Sequence, residues 1–370
     1  MLLNRLSVLN YRNLQQVELS FSPKLNCFFG RNGMGKTNLL DAIYYLSFCK
    51  SADTPIDSQN ICHDAEFFVL QGYYQSAEGI EDEVYCGLKR QQKKRFRRNG
   101  KDYQRLADHI GLIPLVLVSP NDQGLILAGS EERRRFMDLV ISQYDKEYLE
   151  ALVRYNKSLA QRNVLLKMET QPDDSLFDVW EEQMAASGQI VFERREAFVR
   201  EFIPAFRELH GFIAGGGETV DLVYQSQARD SNLTDLLRNS RQRDHIVGHS
   251  LCGIHRDDLN MLLGGYPIKR EGSQGQNKTY VVALKLAQFG FLNSIGHTRP
   301  LLLLDDIFDR LDANRVEQIV KLVAGEQFGQ IFITDTNRSH LDRILQKVGG
   351  DYRLFSVENG AVNNEEIIVP

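Results

Sequence analysis

Hydrophobic and polar residues alternate along the beginning of the chain. Segment 17–21 alternates strictly, which predicts a half-buried strand, and the apolar positions within 6–8 predict a partner strand before it. The short apolar run 25–29 predicts a third strand that leads directly into a glycine-rich loop. From residue 39 to 46 the apolar spacing changes to the helical period. The first part of the chain therefore predicts strands, a loop and a helix.

The same patterns continue to the end of the chain and predict an α/β protein. Asn99-Gly100 predicts a tight hairpin turn. A second hairpin is predicted over 259–270, with its turn at Gly264-Gly265 and Pro267 on an edge strand. The remaining predicted elements are strands at 67–70, 84–88, 115–118, 220–224, 301–304, 331–333 and 353–357, and helices within 131–212 and at 276–293 and 313–324. We expect a mixed β core lobe, 1–120 with 290–370, and a second lobe, 121–289, with a helical arm, a hairpin and the segment 273–276.

A phosphate-binding loop lies between the third strand and the first helix. Residues 30–37 match the pattern Gly-x-x-x-x-Gly-Lys-Thr, in which backbone N–H groups and a helix N-terminus surround phosphates. The predicted ATP-binding residues are Gly30, Arg31, Asn32, Gly33, Met34, Gly35, Lys36 and Thr37. Lys36 is expected to neutralise the β- and γ-phosphates, and the Thr37 hydroxyl to bind Mg²⁺.

Two carboxylates follow the most apolar strand of the chain. Asp305, after four leucines, is predicted to be the second Mg²⁺ ligand. Asp306 stands where many ATPases place a glutamate that polarises the attacking water, so we assign the catalytic roles to Asp306 and Lys36. Aspartate is one methylene shorter than glutamate. The alternative is that Asp305 and Asp306 only cap the next element.

Ser273-Gln274-Gly275-Gln276 opens a predicted helix shortly before the acidic strand. A serine hydroxyl, a small glycine and a helix N-terminus together suit a γ-phosphate. This segment has no role at the phosphates of its own subunit, so we predict that Ser273, Gly275 and Gln276 contact ATP held by a second copy. The alternative is a plain helix cap. Segment 308–312 matches the D-loop position that follows such a strand, and Asp335 stands where a switch histidine often lies.

Composition limits the cellular location and the kinds of partner that we expect for this protein. The absence of a long apolar segment predicts a cytoplasmic protein without a membrane partner. The net charge of −5 does not indicate that the protein as a whole attracts nucleic acid. Five scattered cysteines argue against a disulfide framework or a zinc site. DNA must then meet a local basic patch, and the candidates are 89–101 and 133–135, with solvated surface charge as the alternative. We interpret the run 255–258 as structural or interface-forming rather than as a metal site or a catalytic dyad.

These motifs resemble the RecF family, in the SMC-like branch of the ABC ATPases. The resemblance runs nearly end to end and rests on segments 10–14, 30–37, 97–101, 118–122, 253–259, 273–276 and 304–309. Ile254 departs from the proline common in that family, and Asn277 from its basic or glutamine residues. The resemblance implies an ATPase head without a long coiled coil, which binds ATP and single-stranded or gapped DNA and forms an ATP-dependent homodimer. It also implies RecR and RecO as partners, RecA loading, SOS induction and slow, DNA-stimulated ATP hydrolysis.

Other classes share parts of this pattern. An ATP-gated DNA clamp with negligible hydrolysis, or another SMC-like ATPase, would carry the same motifs. A transporter motor domain would lack the basic hairpin, which is the basic run 89–101 with its turn at Asn99-Gly100. A small-molecule kinase would not use the segment 273–276. Turnover measured with and without DNA separates the clamp from a working ATPase.

Overall fold

The computed structural model describes residues 1–76, 78–168, 173–296, 298–308, 312–325, 327–348 and 352–365. The chain forms two compact units: 1–122 with 212–214 and 278–370, and 123–211 with 215–277. The lobe bounds predicted from the sequence, 120 and 290, and the functions of the lobes stay predictions.

The elements follow the predicted α/β order. In the described residues the strands are β1 (Leu2–Tyr11), β2 (Leu14–Ser20), β3 (Leu25–Phe29), β4 (Phe67–Gln75), β5 (Glu81–Lys89), β6 (Arg95–Arg98), β7 (Lys101–Asp102), β8 (Leu115–Val118), β9 (Val220–Gln225), β10 (Asp258–Leu263), β11 (Tyr266–Pro267), β12 (Leu301–Asp305), β13 (Ile331–Asp335), β14 (Tyr352–Glu358) and β15 (Ala361–Glu365). The helices there are α1 (Lys36–Phe48), α2 (Gly124–Leu127), α3 (Ser130–Ile141), α4 (Lys146–Leu165), α5 (Asp174–Ala214), α6 (Leu233–Val247), α7 (Ile268–Glu271), α8 (Gln274–Ile295), α9 (Ala313–Ala324) and α10 (Arg338–Val348).

The first unit contains an antiparallel sheet in the order β2-β1-β4-β5-β6-β7. Val8 lies opposite Val17, which confirms the strand pair predicted at the start of the chain. Between β6 and β7, Asn99 and Gly100 have φ values of 50° and 75°. Two consecutive positive φ values are those of a tight hairpin turn, so the predicted turn is confirmed.

A second sheet of the same unit has the order β15-β14-β3-β13-β12-β8, and its strands are parallel except for β15. Strand β3 therefore lies between two strands from the end of the chain. Helix α1 packs against strands of both sheets and is buried almost all round. A helix enclosed in this way needs apolar residues on every face, which its sequence provides.

A buried glutamine joins the two sheets of the first unit. The Gln330 side-chain amide donates to the carbonyls of Leu3 (2.9 Å) and Ser22 (2.8 Å), and its oxygen accepts from the Leu3 N–H (2.7 Å). Gln330 is only 1% exposed. Because an unpaired buried amide is costly, these three hydrogen bonds fix β1 to the start of β13.

The second unit combines helices α3 to α6 with a small sheet in the order β11-β10-β9. Arg162 of α4 is fully buried and pairs with Glu181 of α5 (3.0 Å) and Asp244 of α6 (2.7 Å). Because each of these charges is buried, removal of one partner would leave another uncompensated. The three helices are thus fixed to one another by ion pairs as well as by apolar packing.

The sequence prediction was wrong about one strand. The return strand after Gly264-Gly265 was expected to continue to 270, but β11 ends at Pro267 and Ile268–Glu271 forms helix α7. The physical reason is the burial of Ile268, which is only 1% exposed. A helical turn at this point places its side chain in the interior, instead of continuing the edge strand. Helix α6 was not predicted, although Asn232 supplies a helix cap by accepting from the N–H of Thr234.

Candidate functional site

The glycine-rich loop connects β3 to α1, as predicted. Gly33 and Gly35 have φ values of 79° and 117°, which favour glycine. Gly30 is required for another reason: a Cβ there would lie 2.3 Å from the carbonyl oxygen of Val357 on β14. The loop is therefore compatible with these glycines and not with larger residues at the same positions.

Lys36 lies beneath the loop and is only 4% exposed. Its Nζ donates to the carbonyls of Gly30 (2.9 Å) and Arg31 (3.3 Å). The same nitrogen is 3.9 Å from Oδ2 of Asp306. The structure thus places a buried cation between the phosphate-loop backbone and the acidic pair, which is Asp305 at the end of β12 and Asp306 after it.

Asp305 connects the loop helix to two neighbouring strands. The Thr37 hydroxyl donates to Oδ2 of Asp305 (2.9 Å), and the Thr334 hydroxyl donates to Oδ1 (2.6 Å). Burial raises the pKa of Asp305 above its usual value, whereas the hydrogen bonds from the two threonines oppose that shift. The negative charges of Asp306 and Asp53 add to the increase in pKa.

Asp306 has a positive φ of 44°, a conformation that aspartate tolerates better than most residues. Its N–H donates to the hydroxyl of Thr334 (3.0 Å). Thr334, which is fully buried, therefore contacts both members of the acidic pair. Sequence reasoning noted the segment 334–336 but gave Thr334 no role.

Two hairpin turns support the phosphate loop. The side chain of Asn13 donates to the Gly33 carbonyl (3.3 Å) and accepts from Asn38 (2.7 Å). From the other side, the N–H of Gly360, in the turn between β14 and β15, donates to the Met34 carbonyl (2.9 Å). The sequence signal for this second support was the pair Asn359-Gly360, which had not been singled out.

Asp53 lies where two of the segments that carry the resemblance to the RecF family meet. Its carboxylate accepts from Nη1 of Arg12 (2.9 Å) and from Nδ2 of Asn121 (3.0 Å). Arg12 also pairs with the buried Asp41 of α1 (2.9 Å). Segments 10–14 and 118–122 therefore converge on one carboxylate that acts electrostatically on Asp305. Nothing in the sequence pattern indicated Asp53.

The D-loop prediction falls only partly on described residues. Phe308 is buried, Asp312 caps α9 by accepting from the Arg315 N–H (3.0 Å), and residues 309–311 lie outside the described residues. Asp335, at the position of the switch histidine, accepts from the Asn337 N–H (2.7 Å) and pairs with Nδ1 of His340 (3.1 Å). These contacts place Asp335 in the turn between β13 and α10.

The Ser273–Gln276 segment belongs to the second unit and forms a reciprocal cap at the start of α8. The Ser273 hydroxyl accepts from the Gln276 N–H (3.2 Å), and the Gln276 side-chain oxygen accepts from the Ser273 N–H (2.8 Å). The cap that we gave as the alternative is therefore present. Ser273 is exposed. A capped but exposed serine is compatible with the predicted contact to a second copy, which stays a prediction.

The arginines of the basic hairpin are paired within the chain. Arg98 forms a bidentate ion pair with Asp82 (2.9 and 2.8 Å). Arg97 (2.9 Å) and the more exposed Arg95 (3.3 Å) both contact Asp102. Their positive charges are thus partly compensated, which reduces what they offer to a DNA phosphate. Their contact with DNA stays a prediction.

The second basic patch is also engaged in internal contacts. Arg133 forms a bidentate pair with Asp258 (2.6 and 3.0 Å), and Arg134 donates to the carbonyl of Asp257 (2.7 Å). His255, in the same run, contacts the Tyr155 hydroxyl (2.8 Å), and burial lowers its pKa to about 4. Within the run 255–258, Asp257 is buried, His255 and Asp258 are half-buried, and Arg256 is exposed. These contacts within the second unit are compatible with a structural role for the run.

Across the described part of the chain, none of the helices is both long enough and apolar enough to span a membrane. The family model described as "RecF/RecN/SMC N terminal domain" matches residues 2–362. A protein of Bacteroides fragilis named DNA replication and repair protein RecF is 67% identical over 366 residues, which cover 99% of each chain. The protein of the same name from Bacteroides thetaiotaomicron is 67% identical over 363 residues, 98% of each chain.

Solved structures agree with this match. A structure of the recombination mediator protein RecF with ATP, in the RecFOR pathway, superposes with a TM-score of 0.88 at 30% identity, over 99% of this chain and 98% of that one. An Smc head bound to a ScpA domain has a TM-score of 0.59 at 14% identity, over 100% of this chain and 98% of that one, which shows the fold alone. The predicted fold class, a mixed α/β ABC-type ATPase head without a long coiled coil, is thus confirmed, and the chain belongs to the RecF family of the RecF/RecN/SMC group.

Proposed function

We propose that this protein is an ATP-dependent DNA-binding protein of recombinational repair and replication. It binds ATP between the phosphate loop and the acidic pair, dimerises on ATP and acts on single-stranded or gapped DNA. The observation that carries the proposal is the contact between Thr37 and Asp305 (2.9 Å), because it joins the two predicted halves of a nucleotide site. The ATP-bound RecF structure that this chain resembles supports the nucleotide assignment.

The donor set at this contact suits Mg²⁺. The Thr37 hydroxyl and the Asp305 carboxylate are hard oxygen donors, and Mg²⁺ typically takes one or two carboxylates together with substrate phosphates and water. These two residues would hold the ion, which supplies charge neutralisation at the β- and γ-phosphates. The hydrogen bond from Thr334 keeps the Asp305 carboxylate oriented toward Thr37.

The remaining residues of the site bind the phosphates and the attacking water. The backbone N–H groups of the loop and the start of α1 surround the phosphates, and Lys36 exchanges its contacts with loop carbonyls for phosphate oxygens. Asp306 accepts a proton from the water that attacks the γ-phosphate. The short reach of an aspartate supports slow hydrolysis. Stimulation of hydrolysis by DNA is proposed from the resemblance to RecF alone.

Ser273, Gly275 and Gln276 complete the site of a second copy in the ATP-dependent homodimer. The exposed position of Ser273 at the start of a helix supports this role. We further propose RecR and RecO as partners, a contribution to RecA loading and SOS induction, and a cytoplasmic location. These proposals rest on the relatives named DNA replication and repair protein RecF and on the RecFOR pathway named for the related structure.

One series of sedimentation measurements tests the proposal. The protein is run alone, with Mg²⁺ and ATP, with Mg²⁺ and ADP, and with ATP plus gapped or fully duplex DNA. We expect a monomer that becomes a dimer only with ATP, and co-sedimentation with gapped DNA that requires ATP. A sedimentation coefficient unaffected by ATP, or equal DNA binding in all nucleotide states, would contradict the proposal.

A second candidate is an ATP-gated DNA clamp with negligible hydrolysis. The distance of 3.9 Å between Lys36 Nζ and Asp306 Oδ2 favours it, because a carboxylate held by the loop lysine is less available to a water. Phosphate release measured with and without gapped DNA separates the two. A clamp would dimerise normally and release no phosphate above background under either condition.

A further inference from the structure

The signature segment Ser273–Gln276 depends on a residue that lies far from it in sequence. We propose that Glu218 is a positioning residue for this segment: its carboxylate orients the Gln276 amide, which in turn holds Ser273 at the start of α8. This inference rests on the proposed function, in which Ser273 reaches the nucleotide of a second copy. Glu218, Ser273 and Gln276 all belong to the second unit.

The Gln276 amide has only one orientation that satisfies both of its neighbours. Its Nε2 donates to Oε1 of Glu218 (2.9 Å), and its Oε1 accepts from the N–H of Ser273 (2.8 Å). An ionised carboxylate only accepts hydrogen bonds, and a backbone N–H only donates them. A flipped amide would therefore set oxygen against oxygen at Glu218 and nitrogen against nitrogen at Ser273. Glu218 removes that alternative.

The orientation of Gln276 determines what Ser273 presents at the surface. The Ser273 hydroxyl accepts from the backbone N–H of Gln276 (3.2 Å), so its own proton remains directed elsewhere. Because Ser273 is exposed, this proton is offered outside the unit. Held on both its backbone N–H and its hydroxyl, Ser273 is a pre-oriented donor for an anionic oxygen.

Three glycines bring Glu218 to this place. Gly215, Gly216 and Gly217 have φ values of 76°, 81° and 83°, and the N–H of Gly216 donates to the Gly211 carbonyl (3.0 Å), which ends α5. Three successive left-handed residues favour glycine strongly. The chain then enters β9, and Glu218 lies at the turn between the helix and the strand.

Glu218 also lies beside α5. Its Oε2 is 3.8 Å from Nε2 of His210, a residue only 1% exposed, which is too far for a hydrogen bond. One carboxylate oxygen thus faces the end of α5, and the other accepts from Gln276 at the start of α8. The hydrogen bond to Gln276 is therefore the contact through which Glu218 acts on the signature segment.

The test begins with Glu218→Ala in the full-length protein without nucleotide. Hydrogen exchange measured by mass spectrometry should show exchange at 273–276 roughly tenfold faster, the effect of losing one charged hydrogen bond. ATP-dependent dimerisation should weaken by a similar factor, while ATP affinity of the monomer stays unchanged. The matched control is Glu271→Ala, which removes the same charge from an exposed residue near the segment and should change neither quantity.

A swap of the two side chains separates positioning from general structural support. Gln276→Glu alone sets two carboxylates together and should abolish dimerisation. The double variant Glu218→Gln/Gln276→Glu restores one donor and one acceptor at the contact, and the introduced carboxylate still accepts from the Ser273 N–H. We expect the double variant to recover the slow exchange at 273–276 in the absence of nucleotide. Exchange is the readout for the swap, because a carboxylate at 276 also lies next to the phosphates of the second copy and keeps dimerisation weak.

The outcomes are distinct. Exchange at 273–276 unaffected by Glu218→Ala, or exchange in the double variant as fast as in Gln276→Glu, overturns the positioning role. If the wild-type protein does not dimerise with ATP while Glu218→Ala still accelerates exchange, the proposed function fails and the positioning role stands.

Discussion

Helices α1 and α8 begin in opposite ways. At α1 the residue before the helix is Gly35, with a left-handed backbone and no side-chain hydrogen bond to the first turn. At α8 the first turn is closed by Ser273 and Gln276, each of which accepts from the other's backbone N–H. At the start of α1, no side chain accepts from the N–H groups of the first turn. At the start of α8, the Ser273 hydroxyl accepts from one of them.

The difference shows how a helix N-terminus can serve either a phosphate bound within the subunit or a contact with another molecule. An uncapped N-terminus within a glycine loop can surround a phosphate with backbone N–H groups. At the capped N-terminus of α8, the Ser273 hydroxyl already accepts from one N–H of the first turn, so its own O–H is left as a side-chain donor at the surface. The first arrangement suits tight binding within a subunit, and the second suits a contact that forms only when another molecule arrives.

The largest effect is expected at the uncapped start. Lys36→Ala removes the buried cation beneath the loop, and the lost charge-assisted contacts should weaken ATP binding at least about a hundredfold. Equilibrium binding of a fluorescent ATP analogue measures this. Lys321→Ala on α9, half exposed and paired with Glu317 one helical turn away, is the control and should bind normally. Wild-type affinity in Lys36→Ala would show that the loop is not the nucleotide site.

The capped start should show the opposite pattern. Ser273→Arg places a bulky side chain at an exposed position of the second unit, so monomeric ATP binding should stay within about twofold while dimerisation is lost. Sedimentation with and without ATP, together with a binding titration, gives both quantities. A loss of monomer affinity instead would remove the distinction between the two helix starts.

A conversion of one start into the other sharpens the comparison. Gly35→Ser adds a side chain of the capping type, but φ is 117° there and a Cβ would lie 2.9 Å from Oδ1 of Asn13. We expect strain and a loss of about 1–3 kcal/mol in the free energy of unfolding, followed by chemical denaturation. Gly290→Ser, within α8 and open to solvent, is the control. Unchanged stability and ATP affinity in Gly35→Ser would show that the uncapped start is not required.

Asp305, which accepts from Thr37 at the start of α1, should make the free energy of unfolding depend on pH. Because the folded-state pKa of Asp305 is raised, the folded protein binds this proton more tightly than the unfolded chain. The ionised carboxylate therefore lowers the free energy of unfolding as pH rises through the raised pKa. Asp305→Asn should be more stable than wild type near neutral pH, and this advantage should disappear as pH falls below the ordinary aspartate pKa.

Melting temperatures measured from about pH 3 to pH 8 test this expectation, because that range extends below the ordinary aspartate pKa. Magnesium-dependent ATP binding should be lost in Asp305→Asn at every pH, because the carboxylate ligand is absent. An Asp305→Asn protein less stable than wild type at neutral pH would show that the hydrogen bonds of Thr37 and Thr334 outweigh the burial of the charge.

The smallest effect is expected away from both helix starts, in the basic hairpin. Arg95→Gln with Arg97→Gln removes two cations that already share Asp102. The slope of the DNA-binding constant against salt should change by less than about two units, the value for two independent phosphate contacts. Reversal of Arg95, Arg97 and Arg98 to glutamate should weaken binding to all DNA sequences about equally and leave ATP binding intact. A salt slope unchanged by the reversal would place DNA elsewhere.

The parts of the site that the sequence predicts are those with a local pattern. The phosphate loop depends on residues within one segment, and Asp305 follows an apolar strand, so both could be recognised. Thr334 and Asp53 could not. The hydrogen bond of Thr334 to Asp305 and the electrostatic effect of Asp53 on Asp305 depend on how distant strands and loops are brought together. The pairing of Arg98 with Asp82 was missed for the same reason: a basic run does not show which carboxylates lie opposite it.

The position of β3 between β13 and β14 has a consequence for synthesis on the ribosome. The strand that carries the phosphate loop ends at Phe29, and its neighbours begin only at Ile331 and Tyr352. At about 5–20 residues per second, β3 waits roughly 15 to 60 s for its partners. Most of the second unit, in contrast, is made in one continuous stretch and has its partners close behind it. Nascent chains should therefore acquire the helical arm first, and the nucleotide site should be completed only near the end of translation.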